Sequence, residues 1–84
     1  MEKGYNSDIL YLGNKFHIQT EDWGLGNPFL VSRVFKNGAV VRSIKVGYEE
    51  VLPEGLNSGC QAIRLALEVQ HNKILDLLVS GKLV

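Results

Sequence analysis

Four stretches in the first half of the chain carry apolar and β-branched residues in strand-like runs, and one long C-terminal stretch repeats its apolar residues at helical spacing. Asp8 to Leu12 and Phe16 to Asp22 are separated by Gly13-Asn14-Lys15, and Phe29 to Phe35 and Ala39 to Val46 by Lys36-Asn37-Gly38. Gly-Asn and Asn-Gly both tolerate positive φ, so each pair of runs predicts a hairpin. With Gly13 and Asn14 as the central pair, Tyr11 faces Phe16 and Ile9 faces Ile18, on one face with Thr20. His17, Gln19 and Glu21 then take the other face, because side chains alternate along a strand. The second hairpin allows two registers. A two-residue turn sets Val34 against Val41 and Arg33 against Arg42, whereas a three-residue turn with Gly38 as a bulge moves every pairing by one.

Trp23-Gly24-Leu25-Gly26-Asn27-Pro28 reads as a loop, and residues 47–57 as a polar connection. A helix is expected over 58–80. Ser58 and Gln61 have the spacing of a capping box, and Gly81 is placed for a left-handed cap. Ile63, Ala66, Leu67, Gln70, Ile74, Leu77 and Leu78 form its apolar stripe, while Arg64, Glu68, Asn72 and Asp76 point elsewhere. The order ββββα predicts an α+β fold, a four-stranded antiparallel meander with one long C-terminal helix packed on one face. Residues 1–84 form a single small domain, with a mobile N-terminus over 1–7 and the sheet over 8–46.

The other sheet face then has nothing to cover it. With the two-residue second turn it carries His17, Gln19 and Glu21, then Phe29, Val31, Arg33, Phe35, Val40, Arg42, Ile44 and Val46. Apolar groups exposed on that scale mark an interaction surface. The competing reading is the other register, which turns the apolar groups of the fourth strand inward. Leu65 and Val69, with Leu75 and Val79, lie off the main helical stripe and suit a second subunit. Against that, the chain termini would cover them. Gln70 sits within the stripe, and its buried amide needs partners such as Thr20 or Ser32.

Composition narrows the function classes. The 84 residues carry nine Lys plus Arg against nine Asp plus Glu, and a single Cys. A net charge of zero and a pI near 6.7 argue against charge-led nucleic-acid binding. One Cys builds neither an internal disulfide nor a thiolate zinc site, and it fits a reducing compartment. No apolar run approaches the ~20 residues that span a bilayer. The expectation is a cytoplasmic protein without membrane contact.

His17, His71, Cys60, Glu21 and Asp22 are the candidate metal or acid–base residues. None of them shows a recognised ligand spacing, and a lone His on a strand is more often structural. Cys60 and His71 are eleven residues apart on one helix, about 16 Å, too far for a nucleophile–base pair. Arg33, Lys36, Arg42 and Lys45 form an acid-free strip that, with Phe29 or Phe35 for stacking, suits single-stranded nucleic acid. As an ordinary solvated hairpin, the same strip is balanced by Glu49, Glu50 and Glu54. Gly24-x-Gly26 lacks the strand-to-helix setting of a dinucleotide loop.

The segments Phe16-His17-Ile18-Gln19-Thr20-Glu21-Asp22-Trp23-Gly24, Asn27-Pro28, Val34-Phe35-Lys36-Asn37-Gly38, Lys45-Val46-Gly47-Tyr48 and Gln70-His71-Asn72-Lys73 carry a resemblance. Together they resemble a family of small bacterial domains with an FHxQTED-type strand, a glycine hairpin, a Tyr after the fourth strand and a QHK-like helix. The likeness runs from about residue 8 to 82. Here Asn72 separates His71 from Lys73, a departure from the adjacent His–Lys pair. The resemblance implies a bacterial source and draws attention to His17, Gln19, Glu21, Asp22, Gln70 and His71; it brings no activity and no cofactor.

The sequence therefore predicts a non-enzymatic protein-interaction or scaffold module, self-associating as a homodimer. Its expected surface comprises His17, Gln19, Glu21, Phe29, Val31, Arg33, Phe35, Arg42, Ile44, Leu65 and Val69. A single-stranded nucleic-acid-binding ββββα domain is the runner-up, and a small metal or enzymatic site at His17 or His71 the third reading.

Overall fold

Two tight turns with positive φ frame the sheet. In a computed structural model describing residues 4–24, 26–52, 54–55 and 59–82, the strands are β1 (Tyr5–Tyr11), β2 (Asn14–Asp22), β3 (Phe29–Lys36) and β4 (Ala39–Gly47). They pair antiparallel in chain order, forming the expected meander. The helices are α1 (Tyr48–Val51) and α2 (Cys60–Val79), and α2 packs chiefly on β2, with β1 and β3 beside it.

The first turn is centred on Leu12 and Gly13, at φ 50° and 81°, and not on Gly13 and Asn14. Tyr11 therefore pairs with Asn14, and Ile9 with Phe16. The shift moves each partner by two residues, so Ile9, Tyr11, Phe16, Ile18 and Thr20 keep the face the alternation gave them. Asn14 and Asn37 explain the choice. The Asn37 Nδ2 donates to Asn14 Oδ1 at 3.3 Å, and Asn37 Oδ1 accepts from the Lys15 N–H at 3.2 Å, which ties the two hairpin tips together. β1 also begins at Tyr5, so Tyr5, Asn6 and Ser7 pair with Thr20, Gln19 and Ile18 and do not form a free N-terminus.

The second hairpin uses both registers. At the turn, Asn37 and Gly38 have φ 51° and 91°, and Lys36 pairs with Ala39 and Phe35 with Val40. A bulge then intervenes, and Val34 pairs with Arg42 and Arg33 with Ser43. The extra residue, Val41, turns the remainder of β4 over. Arg42, Ile44 and Val46 consequently lie on the helix side with Val34, Ser32 and Leu30, which corrects their assignment to the outer face. The opposition of Arg33 and Arg42 is also removed, so no like-charge cost arises between directly paired arginines.

The core has two parts along α2. Phe16, Ile18, Val34, Ile74 and Leu78 form one, and Leu30, Tyr48, Leu52, Ile63 and Leu67 the other. Each fully buried aliphatic side chain contributes about 1.5–3 kcal/mol. The cap of α2 falls on Gly59, with no side-chain hydrogen bond; Ser58, the expected cap, lies outside the described residues. At the other end the expectation holds. Gly81 has φ 76°, its N–H donates to the Leu78 carbonyl, and that of Lys82 to the Leu77 carbonyl, closing a Schellman motif. The short α1 replaces part of the expected polar connection. Its Glu50 carboxylate accepts the Gly47 N–H at 2.8 Å, and Tyr48 turns into the core.

The molecule is elongated, 42 × 21 × 16 Å. Its radius of gyration, 13.1 Å, exceeds the roughly 12 Å of a compact chain this long.

Candidate interaction surfaces

Between the two apolar clusters runs a line of polar side chains. Gln70 donates through Nε2 to Ser32 Oγ at 2.9 Å and to the Leu30 carbonyl at 3.3 Å. Ser32 and Thr20 share a hydrogen bond of 2.8 Å, and Thr20 Oγ1 lies 2.8 Å from His71 Nδ1. On the far side of the ring, His71 Nε2 lies 2.8 Å from Ser7 Oγ. One proton arrangement satisfies the chain. Ser32 accepts from Gln70 and donates to Thr20, which donates to Nδ1, and the Nε2–H donates to Ser7. This requires a neutral imidazole, in keeping with a His71 pKa held below its ordinary value by burial and, secondarily, by the charge of His17.

The sign of that shift fixes a pH dependence. Above the unfolded pKa of about 6.5 His71 is neutral in both states, and the stabilisation is complete. Below it the unfolded chain takes up a proton that the folded chain resists, so stability falls as the pH drops toward the depressed folded pKa. His71→Gln should flatten the decline between pH 7 and 5 in urea-denaturation midpoints. An unchanged slope in that variant would separate the acid response from His71.

The Leu30 carbonyl also orients the Gln70 amide, because it needs a donor. Gln70 Oε1 is left buried and without a hydrogen-bond partner among the described residues. The stripe therefore holds its amide through Ser32, one of the two partners the sequence offered, and adds His71, which the stripe did not include. His71 is only 4% exposed.

A second buried polar site joins two loops. The Tyr48 hydroxyl donates to Asp22 Oδ1, which also accepts the Gly24 N–H at 2.9 Å. Burial, reinforced by the Asp22 carboxylate, pushes the Tyr48 pKa well above its ordinary value of 10.0.

No family model, curated protein or solved structure matches this chain.

The outer sheet face keeps seven of the eleven expected surface residues: His17, Gln19, Glu21, Phe29, Val31, Arg33 and Phe35. It is already paired with itself. His17 Nδ1 donates to Asp8 Oδ1 at 2.8 Å, and its ring tilts against Phe35 at 5.8 Å. Arg33 donates to Glu21 at 3.3 Å and lies 5.7 Å from the Trp23 ring centre. The Lys45 amine stands 5.3 Å from Trp23 and 4.2 Å from Phe29. Val31 is 4% exposed, so it is not part of an accessible patch. Trp23 and Lys45 were missed as members of this face because loop folding and the β4 bulge place them there, whereas Asp8 on β1, opposite His17, follows from the alternation with Ile9 and Tyr11.

The other four residues, Arg42, Ile44, Leu65 and Val69, line a trough on the helix side. Because α2 lies over β2, the inner side of β4 is left beside an open groove. One end is a depression of about 600 Å³ between α1, β4 and the first half of α2, lined by Val46, Leu52, Leu65, Ala66 and Val69. The other, about 390 Å³, continues toward the end of α2 past Arg42, Ile44 and Leu77. Val46, Gln70 and Lys73 line both.

His17 and His71 do not form a joint site. They belong to opposite faces of the sheet, and each is hydrogen-bonded to a different partner.

Proposed function

We propose that this protein is a non-enzymatic interaction module that self-associates and acts in the cytoplasm as a docking or scaffold unit. The trough between β4 and α2 carries this reading. It leaves Leu65 and Val69 62% and 58% exposed on a flat domain whose sheet is only partly covered. A thin domain of this size gains most from burying such a surface against another chain. The exposed thiol of Cys60 suits a reducing compartment. The resemblance over Phe16 to Gly24 and Gln70 to Lys73 supports kinship with the small bacterial domains described above.

The buried histidine favours a structural role over a catalytic one, since Ser7 and Thr20 occupy both of its ring nitrogens. The nucleic-acid reading rested on Arg33, Lys36, Arg42 and Lys45 forming one strip with Phe29 or Phe35; Arg33 and Arg42 do not share a face. Arg33 is also engaged by Glu21, so the binding-module reading is preferred.

Size-exclusion chromatography with light scattering tests it. The expected mass is near twice the 9.3 kDa of one chain, falling on dilution. A mass of one chain at every concentration up to the solubility limit would overturn self-association.

A further inference from the structure

β1 is the first strand of the meander, and among the described residues no strand lies on its far side. It pairs with β2 at every position from Tyr5 to Tyr11 without a bulge, and its sequence holds no Pro, Lys or Arg. Bulges, prolines and cations are the devices that keep an edge from taking a further strand, and β1 has none of them. The Leu12-Gly13 turn makes Tyr11 and Asn14 a pair that exchanges both backbone hydrogen bonds. Alternation then directs the N–H and C=O of Tyr5, Ser7, Ile9 and Tyr11 to β2, and those of Asn6, Asp8 and Leu10 outward. The buried polar line also ends on this strand. Ser7 Oγ accepts from His71 Nε2 and has its own proton left to give.

We propose that β1 pairs antiparallel with β1 of a second copy about a two-fold axis at Ser7, so that the two sheets become one. This rests on the self-association reading and gives it a contact. Side chains fix the register. An axis at Asp8 would oppose two carboxylates, and one at Ile9 would set each Asp8 against Leu10 of the other copy. The axis at Ser7 sets Asn6 against Asp8 on the outer face and Tyr5 against Ile9 on the inner one, each twice. Asn6 and Asp8 carry outward backbone groups, so each of their pairs exchanges both N–H···O bonds. Asp8 uses Oδ1 for His17 and keeps its other oxygen for the Asn6 amide. The half-buried Tyr5 and Ile9 cover each other as an aromatic–β-branched pair. On the axis the two Ser7 residues form the closer, non-hydrogen-bonded type of pair, with Cα atoms about 4.5 Å apart, and one hydroxyl donates to the other. The polar line that begins at Gln70 then runs from one copy into the next. Each pair complements its own symmetric image, which singles out a second copy over a foreign strand.

The axis stands perpendicular to the sheet, so both copies of α2 lie on the same face. They cover β2 strands about 14 Å apart, three strand spacings, and stand clear of each other beyond the 8–10 Å of packed helices. The trough, beside β4 at the far edge of each sheet, stays open. Joining and docking thus use separate surfaces.

The sign of one charge tests the register. Asn6→Asp places a second carboxylate against Asp8 at both ends and should raise the dimer Kd at least tenfold. Asn6→Lys should lower it at least threefold. Asn6 is exposed, so neither change disturbs the monomer. Equal Kd values for both variants would overturn the register. In a Cys60→Ser background, Ser7→Cys should give a covalent dimer on mild oxidation, its mate being on the axis. Leu10→Cys should give little, its mate being about 20 Å away along the strand.

Hydrogen exchange tests the edge itself. The Asn6 and Asp8 amides should exchange fast at low concentration and slow down as the dimer forms, whereas those of Ser7 and Ile9 stay slow throughout. A dimer with fast exchange at Asn6 and Asp8 would overturn the β1 pairing and leave self-association standing. A protein monomeric at every concentration would remove both. A monomer whose Asn6 and Asp8 amides are protected only by an added extended peptide would overturn the second copy as the occupant.

Discussion

Thr20→Val should lower the unfolding free energy by about 2–4 kcal/mol, although valine has nearly the shape of threonine. Thr20 Oγ1 is the junction of the buried polar line, bonded to both Ser32 and His71. Its loss leaves two groups short of a partner, each at a cost of about 1–3 kcal/mol where water cannot reach. Thr20 and Ser32 are both fully buried, and His71 nearly so. Thr20→Ser keeps the hydroxyl and should lose only about 1 kcal/mol, the worth of a methyl group. Ser7→Ala, at the half-buried end of the line, should cost still less, because solvent can replace the lost partner. Urea denaturation of the three variants gives the ranking. A Thr20→Val protein as stable as Thr20→Ser would mean that the polar line adds nothing to the fold. Small domains rarely hold more than a few kcal/mol in reserve, so the expected loss approaches the whole margin.

The second large effect is expected at Tyr48. Tyr48→Phe removes the donor to a buried carboxylate and should cost about 1.5–3 kcal/mol, the range for a hydrogen bond to a charged group. Adding Asp22→Asn should recover part of the loss, because a neutral amide is cheaper to leave short of a donor. The pH behaviour offers an independent reading. The folded tyrosine pKa is raised, so its stabilisation is complete below pH 10 and is lost as the pH climbs and the unfolded hydroxyl ionises. Tyr48→Phe should lack that alkaline decline. Equal stability of the single variant and the wild type at pH 7 would show that Asp22 is satisfied without Tyr48.

Most of the fold was legible. Alternation, two glycine turns and one helical stripe were enough for the strand order, the covering helix and the Gly81 cap. Hairpin detail was less accessible, because neighbours remote in sequence decide it. The Asn14–Asn37 contact favours the Leu12-Gly13 turn, and nothing in residues 8–22 alone reveals it. The second hairpin could not be resolved as one register or the other because it contains both, separated at Val41. That single extra residue moved Arg42 and Ile44 from the expected outer surface to the trough, next to Leu65 and Val69. Helical spacing had already set Leu65 and Val69 apart from the sheet face, but strand alternation carries no information about a bulge that moves Arg42 and Ile44 to join them. The stripe did not include His71, whose hydrogen-bonded burial depends on Ser7 and Thr20 arriving from two strands. The polar appearance of residues 47–57 hid α1, although Tyr48 followed by two glutamates has the composition of a short amphipathic turn.

The kink at Val41 has one more effect. An open meander ends in two unpaired rims, and a flat rim invites further strands to add without limit. Here the rim formed by β4 is bent at Val41 and carries the cations of Arg42 and Lys45, features that discourage fibre growth. One inserted residue thus gives a molecule of little bulk a guard against runaway polymerisation.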